Sequence, residues 1–170
     1  MSKQNNIIIR NATQQDIPSI VKVNHLSQRT ENLNGLIQKR TKEEFKKLMK
    51  LCKHIVAAEK DGIIIGYTTI LDESAPYLEN EIFSFYPKHY SNFVFIDQVA
   101  THPDYRRMGI AKQMYEFFIK NEPKRILVDF LVEPRNPESI AFHERMGFKS
   151  IQDFIHLKNG MVAEVYEYYK

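Results

Sequence analysis

Residues 93–121, FVFIDQVATHPDYRRMGIAKQMYEFFIKN, constrain the fold more than any other stretch. The first part, from Phe93 to Thr101, is almost wholly apolar or β-branched, the pattern of a strand covered on both faces. His102, Pro103 and Asp104 end it, because proline has no N–H to give to a ladder. From Ile110 the period changes. Ile110, Met114, Phe117 and Phe118 fall at i, i+4, i+7 and i+8, one face of a helix.

Between strand and helix lies Arg106-Arg107-Met108-Gly109-Ile110-Ala111. A helix start presents backbone N–H groups without partners and a partial positive charge. Such a turn can receive a pyrophosphate. Gly109 removes a side chain where a ligand would come close, and the arginines add positive charge. An ordinary strand–turn–helix with two solvated arginines has the same sequence pattern. On these residues alone both readings stand.

Composition narrows the class. A chain of 170 residues, 43% hydrophobic and 26% charged, is expected to form a single globular domain over residues 1–170. Basic residues number 24 and acidic residues 21, with no basic stripe, so no nucleic-acid partner is expected. No apolar run approaches the ~20 residues that cross a bilayer. The start, MSKQNNIIIR, lacks the apolar segment of a signal peptide. Neither a membrane partner nor export is therefore expected. A single cysteine, Cys52, excludes an intrachain disulfide and fits a reducing, cytoplasmic setting. The six histidines form no HExxH, and no metal is expected.

In chain order, residues 7–10 read as a first strand, and Asp16 with Pro18 as the cap and first turn of a helix. Residues 25–39 are polar and fit either a loop or a short helix ended by Gly35. Thr41-x-x-Glu44 is a capping box for a helix that buries Phe45, Leu48, Met49 and Cys52. Asp61-Gly62 predicts a hairpin between strands at 55–60 and 63–71. Gly66, inside the second of these, signals a bulge or close packing. Residues 72–92 read as a long loop rich in rings (Tyr77, Phe83, Phe85, Tyr86, Tyr90). Those rings either serve a function or cover the sheet. A strand at 125–133 closes a βαβ unit with residues 93–121, so the two strands are expected to be parallel neighbours. Asn136-Pro137 starts a helix that Gly147 ends. Asn159-Gly160 joins a final hairpin of residues 151–157 and 162–168. The expected order is β α α β β β α β α β β.

Two motifs at this separation, Arg106-x-x-Gly109-x-Ala111 and Asn136 followed by a helix carrying Phe142, Glu144, Arg145, Gly147 and Phe148, resemble those of the GNAT superfamily of N-acetyltransferases. The resemblance spans the chain. It implies a mixed α/β (α+β) fold with helices on both faces of a mostly antiparallel sheet. A central parallel strand pair would be splayed around acyl-CoA. It also implies an N-acetyltransferase that moves acetyl from acetyl-CoA to a primary amine of a small molecule or peptide, by direct attack in a ternary complex. The cofactor residues it carries over are Val99, Ala100 and Thr101 on the strand. To these it adds Arg106, Arg107, Met108, Gly109, Ile110, Ala111 and Lys112 in the turn, and Asn136, Ser139, Phe142 and His143 on the later helix. Family members often form homodimers, and the Tyr166, Tyr168 and Tyr169 end is compatible with that.

His143 departs from the family, which usually has Tyr there as the acid that protonates the leaving thiolate. Ser139, Phe142, His143 and Met146 share one helical face, so His143 points inward. It either replaces the tyrosine as general acid or packs, leaving that proton to water. Asp97 shares a strand face with Val99 and Thr101. A carboxylate in an apolar strand is either paired or used as a base. Glu133, Glu79 and Glu81 are weaker candidates. Backbone N–H groups at 99–101 suit the thioester oxygen as it gains charge. Acids at 72, 73, 79, 81 and 97 suggest a cationic acceptor. Cys52, on a buried helix face, is a poor nucleophile. The alternative to an enzyme is a non-catalytic acyl-CoA-binding sensor or interaction module of the same fold.

Overall fold

The computed structural model describes residues 6–28, 37–75, 80–122 and 125–169. The expectations attached to Gly35, Tyr77 and Glu79 lie outside the described residues. The strands are β1 (Ile7–Asn11), β2 (His54–Lys60), β3 (Ile63–Asp72), β4 (Phe93–Thr101), β5 (Arg125–Leu131), β6 (Lys149–His156) and β7 (Val162–Tyr168). The helices are α1 (Ile17–Ser27), α2 (Lys42–Leu51), α3 (Glu81–His89), α4 (Ile110–Asn121) and α5 (Pro137–Arg145). The strands form one seven-stranded, mostly antiparallel sheet in the order β1-β2-β3-β4-β5-β7-β6, with helices on both sides. The expected parallel pair is β4 and β5, joined by Phe93–Arg125, Val94–Ile126 and Phe95–Leu127. Two compact units divide the chain: Met1–Ile70 with Asp97–Glu122, and Leu71–Ile96 with Pro123–Lys170.

In the first unit, Ile17, Ile20 and Val23 of α1 and Phe45 and Leu48 of α2 pack with Ile55, Ala57, Tyr67 and Ala100 of the strands. Spacings of three and four residues place each helix's apolar side chains on one stripe. The Thr41–Glu44 box forms as its sequence predicts: Glu44 N donates to Thr41 Oγ1 (3.2 Å), and Thr41 N donates to Glu44 Oε2 (2.7 Å). Asp16 takes its expected N-cap position without making the cap bond. Arg10 draws the carboxylate away, with Nη1–Oδ2 2.7 Å and Nη2–Oδ1 2.8 Å. A bidentate charged pair outcompetes one neutral cap bond.

The Asp61-Gly62 turn has φ of 50° and 78°, the double left-handed geometry that matches the twist of a two-residue hairpin. Gly66 sits beside a register shift between Ala58 and Glu59, so both expectations for it hold. A Cβ there would lie 3.1 Å from Ile110 Cγ2 and 3.2 Å from the Ala100 carbonyl oxygen. That missing side chain lets α4 sit down on the sheet. Ile110, Met114, Tyr115, Phe118 and Ile119 form the buried stripe of α4, a wider one than its sequence spacing suggests, with Phe117 only half-buried.

In the second unit, the stretch expected to be a loop contains α3. Asn80 caps it, accepting from Ile82 N (2.9 Å) and Phe83 N (3.2 Å). Pro87 lies inside the helix and obscured the pattern, because proline removes a helical hydrogen bond. The rings cover the sheet: Tyr86 stacks on Phe95 at 4.7 Å between centroids, and Phe83 meets Phe95 edge-on at 5.3 Å. Tyr86 donates to Asp129 Oδ2 (2.8 Å), and Tyr90 donates to Asp153 Oδ2. The Asn159-Gly160 hairpin uses a longer turn than the other. Gly160 takes φ of 86°, Gly160 N donates to Leu157 O, and Leu157 N donates to Met161 O across the strands. β6 begins at Lys149 rather than Ile151, and a register shift between Ser150 and Asp153 bends it.

Candidate functional site

In the first unit, β4 leads directly into the glycine turn. His102 N donates to Ile65 O (2.8 Å), and a 3-10 turn, Pro103–Tyr105, follows. Arg107 and Gly109 both have positive φ, 62° and 72°. The first bond of α4 runs from Gln113 N to Gly109 O (3.1 Å). The N–H groups of Ile110, Ala111 and Lys112 therefore have no acceptor within the helix. Gly109, the N-cap, has no side chain to accept from those N–H groups, and a Cβ built on it would meet nothing within 4 Å. The turn thus presents donors with no acceptor in the helix beside Arg106, Arg107 and Lys112, at the positive end of a twelve-residue helix. That donor set fits the pyrophosphate of an acyl-CoA.

Preceding the turn, Ala100 is buried, while Val99 and Thr101 are half-buried. Asp97 is held in a polar cluster. Its Oδ2 accepts from Arg40 Nη1 (2.5 Å) and Thr69 Oγ1 (2.8 Å), and its Oδ1 accepts from Arg40 Nη2 (3.0 Å). Both side chains are nearly inaccessible, 6% exposed for Arg40 and 7% for Asp97. Asp97 raises the guanidinium pKa against the opposing effect of burial. Of the two fates open to a carboxylate in this strand, pairing is the one observed. Cys52 closes α2, and burial pushes its thiol well above the usual range, in keeping with its dismissal as a nucleophile.

In the second unit, Asn136 caps α5 by accepting from Ser139 N (3.1 Å). His143 is buried, as its helical face predicts, at 1% exposure. Its ring lies edge-on to Phe130 (4.8 Å), Phe142 (5.1 Å) and Phe148 (5.3 Å). Nδ1 lies 2.7 Å from Ser139 O. A carbonyl oxygen only accepts, so Nδ1 carries the proton and the neutral ring offers Nε2 as an acceptor. Burial pushes the imidazole pKa down to about 4.

The other acids are engaged locally. Asp72 Oδ1 accepts from Ser74 N (2.9 Å), Glu73 Oε2 from Asn92 N (2.7 Å) and Glu81 Oε1 from Lys158 N (2.9 Å), while Glu133 is exposed. Sequence reasoning missed Arg40, which stands 57 residues from Asp97. It also missed Tyr86 and Asp129, whose only signal was the helical spacing of Phe83, Tyr86 and Tyr90.

A mixed sheet whose parallel strand runs through a glycine turn into a helix, followed by an asparagine-capped helix, is the frame of an acetyltransferase. The chain belongs to the acetyltransferase (GNAT) family, whose model matches residues 23–148. No curated protein matches it in sequence. Solved structures share its fold. One is an N-acetyltransferase of Staphylococcus aureus (18% identity, 96% of this chain and 98% of that one, TM-score 0.65). A second is the ribosomal-protein-S18-alanine N-acetyltransferase of Escherichia coli (15%, 95% and 92%, TM-score 0.64). A third is yncA of Salmonella typhimurium, solved with its cofactor acetyl-CoA (17%, 96% and 94%, TM-score 0.66).

Proposed function

We propose that the chain, acting as one N-acetyltransferase domain over residues 1–170, transfers acetyl from acetyl-CoA to a primary amine of a small molecule or peptide. The observation that carries this reading is the glycine turn at the start of α4, with Gly109 at φ of 72° and N–H groups behind it that have no acceptor in the helix. Residues 106–112 bind the pyrophosphate through backbone N–H groups and the charges of Arg106, Arg107 and Lys112. Backbone N–H groups at 99–101 face the thioester oxygen and stabilise the charge it gains. A parallel ladder of only three pairs supports a strand pair that opens to admit the pantetheine arm. Asn136, Ser139, Phe142 and His143 supply the α5 side of the cofactor site.

When bound, acetyl-CoA supplies the activated acetyl group, and an amine attacks it directly, since the one cysteine is a protonated, poorly nucleophilic thiol. The attacking nitrogen must first lose a proton. His143 holds its proton on Nδ1 against Ser139 O, so at neutral pH its Nε2 accepts rather than donates. This setting supports packing over the general-acid role for His143 and leaves the thiolate's proton to water. The same setting, with Asp97 tied to Arg40, is what favours the second reading, an acyl-CoA-binding module without catalysis.

Acetyl-CoA titrated into the purified protein, with Gly109→Glu as control, tests the cofactor site. Micromolar binding that the variant loses is the expected result. No binding by the folded wild-type protein overturns the reading. Release of free CoA thiol on adding amines then separates enzyme from binding module.

A further inference from the structure

Residues 37–40 form neither helix nor strand, yet side chains from α1, from Gln28 just after it and from β4 hold their backbone. Gln28 Nε2 donates to Ile37 O (2.8 Å), and His25 Nε2 donates to Arg40 O (2.9 Å). Asn24 works in both directions: its Nδ2 donates to Gln38 O (3.1 Å) and its Oδ1 accepts from Arg40 N (2.9 Å). From β4, Gln98 Nε2 donates to the same Gln38 carbonyl (2.8 Å). The Arg40 guanidinium then reaches Asp97 through both of its terminal nitrogens.

The links that reach β4 end on two neighbouring residues, Asp97 and Gln98. Gln98 N donates to Thr69 Oγ1 (3.1 Å), whose own proton goes to Asp97 Oδ2 (2.8 Å). Thr68 Oγ1 donates to Gln98 O (2.9 Å). Side chains from both flanks add their bonds to the backbone ladder that already holds this strand. A carboxylate has about four acceptor positions, and three of Asp97's are filled by Arg40 and Thr69. A general base needs an open lone pair within reach of the amine proton. Asp97 instead has the features of an anchor.

We infer that Arg40 and Asp97 form a positioning pair, in which Asp97 holds Arg40, and with it residues 37–40, against β4 and so fixes the register of residues 97–101. The inference rests on the proposed function in one respect: those residues are the ones taken to face the thioester. Neither side chain of the pair carries the amine proton. A guanidinium is needed at position 40 because its fork meets both carboxylate oxygens at once, which a lysine cannot do.

Amide hydrogen exchange over residues 37–41 and 97–101, read together with acetyl-CoA affinity, tests it. Wild type is compared with Asp97→Asn, Arg40→Lys and the double variant Arg40→Met/Asp97→Leu. The double variant buries no unpaired charge, so it keeps the fold if the single variants lose it. The expected result is at least tenfold faster exchange of both segments in Asp97→Asn and in the double variant. Amides of α4 should be unaffected in the double variant, and acetyl-CoA affinity should fall about tenfold. Arg40→Lys, retaining the charge but not the fork, should recover part of that affinity relative to the double variant. Unchanged exchange in the double variant overturns the anchor. Faster exchange with unchanged affinity overturns its link to the thioester. A wild-type protein that shows the protected segments but binds no acetyl-CoA overturns the proposed function and leaves the anchor standing.

Discussion

Nδ1 of His143 lies 2.7 Å from the carbonyl oxygen of Ser139, one turn earlier in α5. That bond fixes the tautomer, and the three phenylalanines around the ring keep it from water. The imidazole's folded pKa of about 4 lies below its ordinary 6.5. Between those values the unfolded chain binds a proton that the native protein does not. Stability should therefore be full above pH 6.5 and fall as pH drops toward 4, by up to about 3 kcal/mol. Urea unfolding of wild type and His143→Phe at pH 7.5, 6 and 5 checks this. The variant should lose the wild type's decline over that range, and an equally steep decline in both would remove His143 as its source.

The pair Arg40–Asp97 is nearly inaccessible, so losing one partner strands a buried charge. Asp97→Asn should cost about 3–5 kcal/mol, whereas Arg40→Met/Asp97→Leu should cost much less or nothing. Calorimetric melting of the three proteins reads this difference. Equal losses in the single and double variants would argue that the pair is well hydrated.

Gly66→Ala puts a methyl group 3.2 Å from the Ala100 carbonyl oxygen, a backbone atom that cannot rotate away. Ile110 Cγ2 and Met114 Cε, at 3.1 and 3.3 Å, are side-chain ends that can yield. Overpacking of this kind should cost about 1–3 kcal/mol, visible as a drop in Tm of roughly 2–4 °C per kcal/mol. An unchanged Tm would mean that α4 lifts from the sheet without cost.

Thr41→Ala removes the cap of α2 and leaves the Glu44 N–H without its acceptor. The expected loss is about 1 kcal/mol, measured by chemical denaturation. The effect should match that of Glu44→Ala in direction but exceed it, since the threonine supplies the bond to the helix itself.

Elements with a strong local signal were legible in the sequence. The Thr41 box, the Asp61-Gly62 turn, the Asn136 cap and the apolar run of β4 are set by neighbouring residues, and each appears at its expected place. α3 was not legible, because Pro87 breaks the period inside it and its rings suit a loop equally well. Asp16 had a good cap sequence, and a partner from β1 took its carboxylate. The glycine turn between β4 and α4 was readable from Arg106, Gly109 and Ala111 because its signal is confined to neighbouring residues.

By itself, the sequence determined the elements on either side of that turn, β4 and α4, the parallel pairing of β4 with β5 and the inward face of His143. These follow from periodicity and from residues adjacent in the chain. Only the tertiary structure decided what the buried polar groups do. Asp97 became one half of an ion pair because Arg40, 57 residues away, arrives beside it, and His143 became neutral because the walls of its pocket exclude water. The charge state and partner of a buried group depend on the dielectric and the donors that folding brings to it, and neither is encoded in its immediate neighbours.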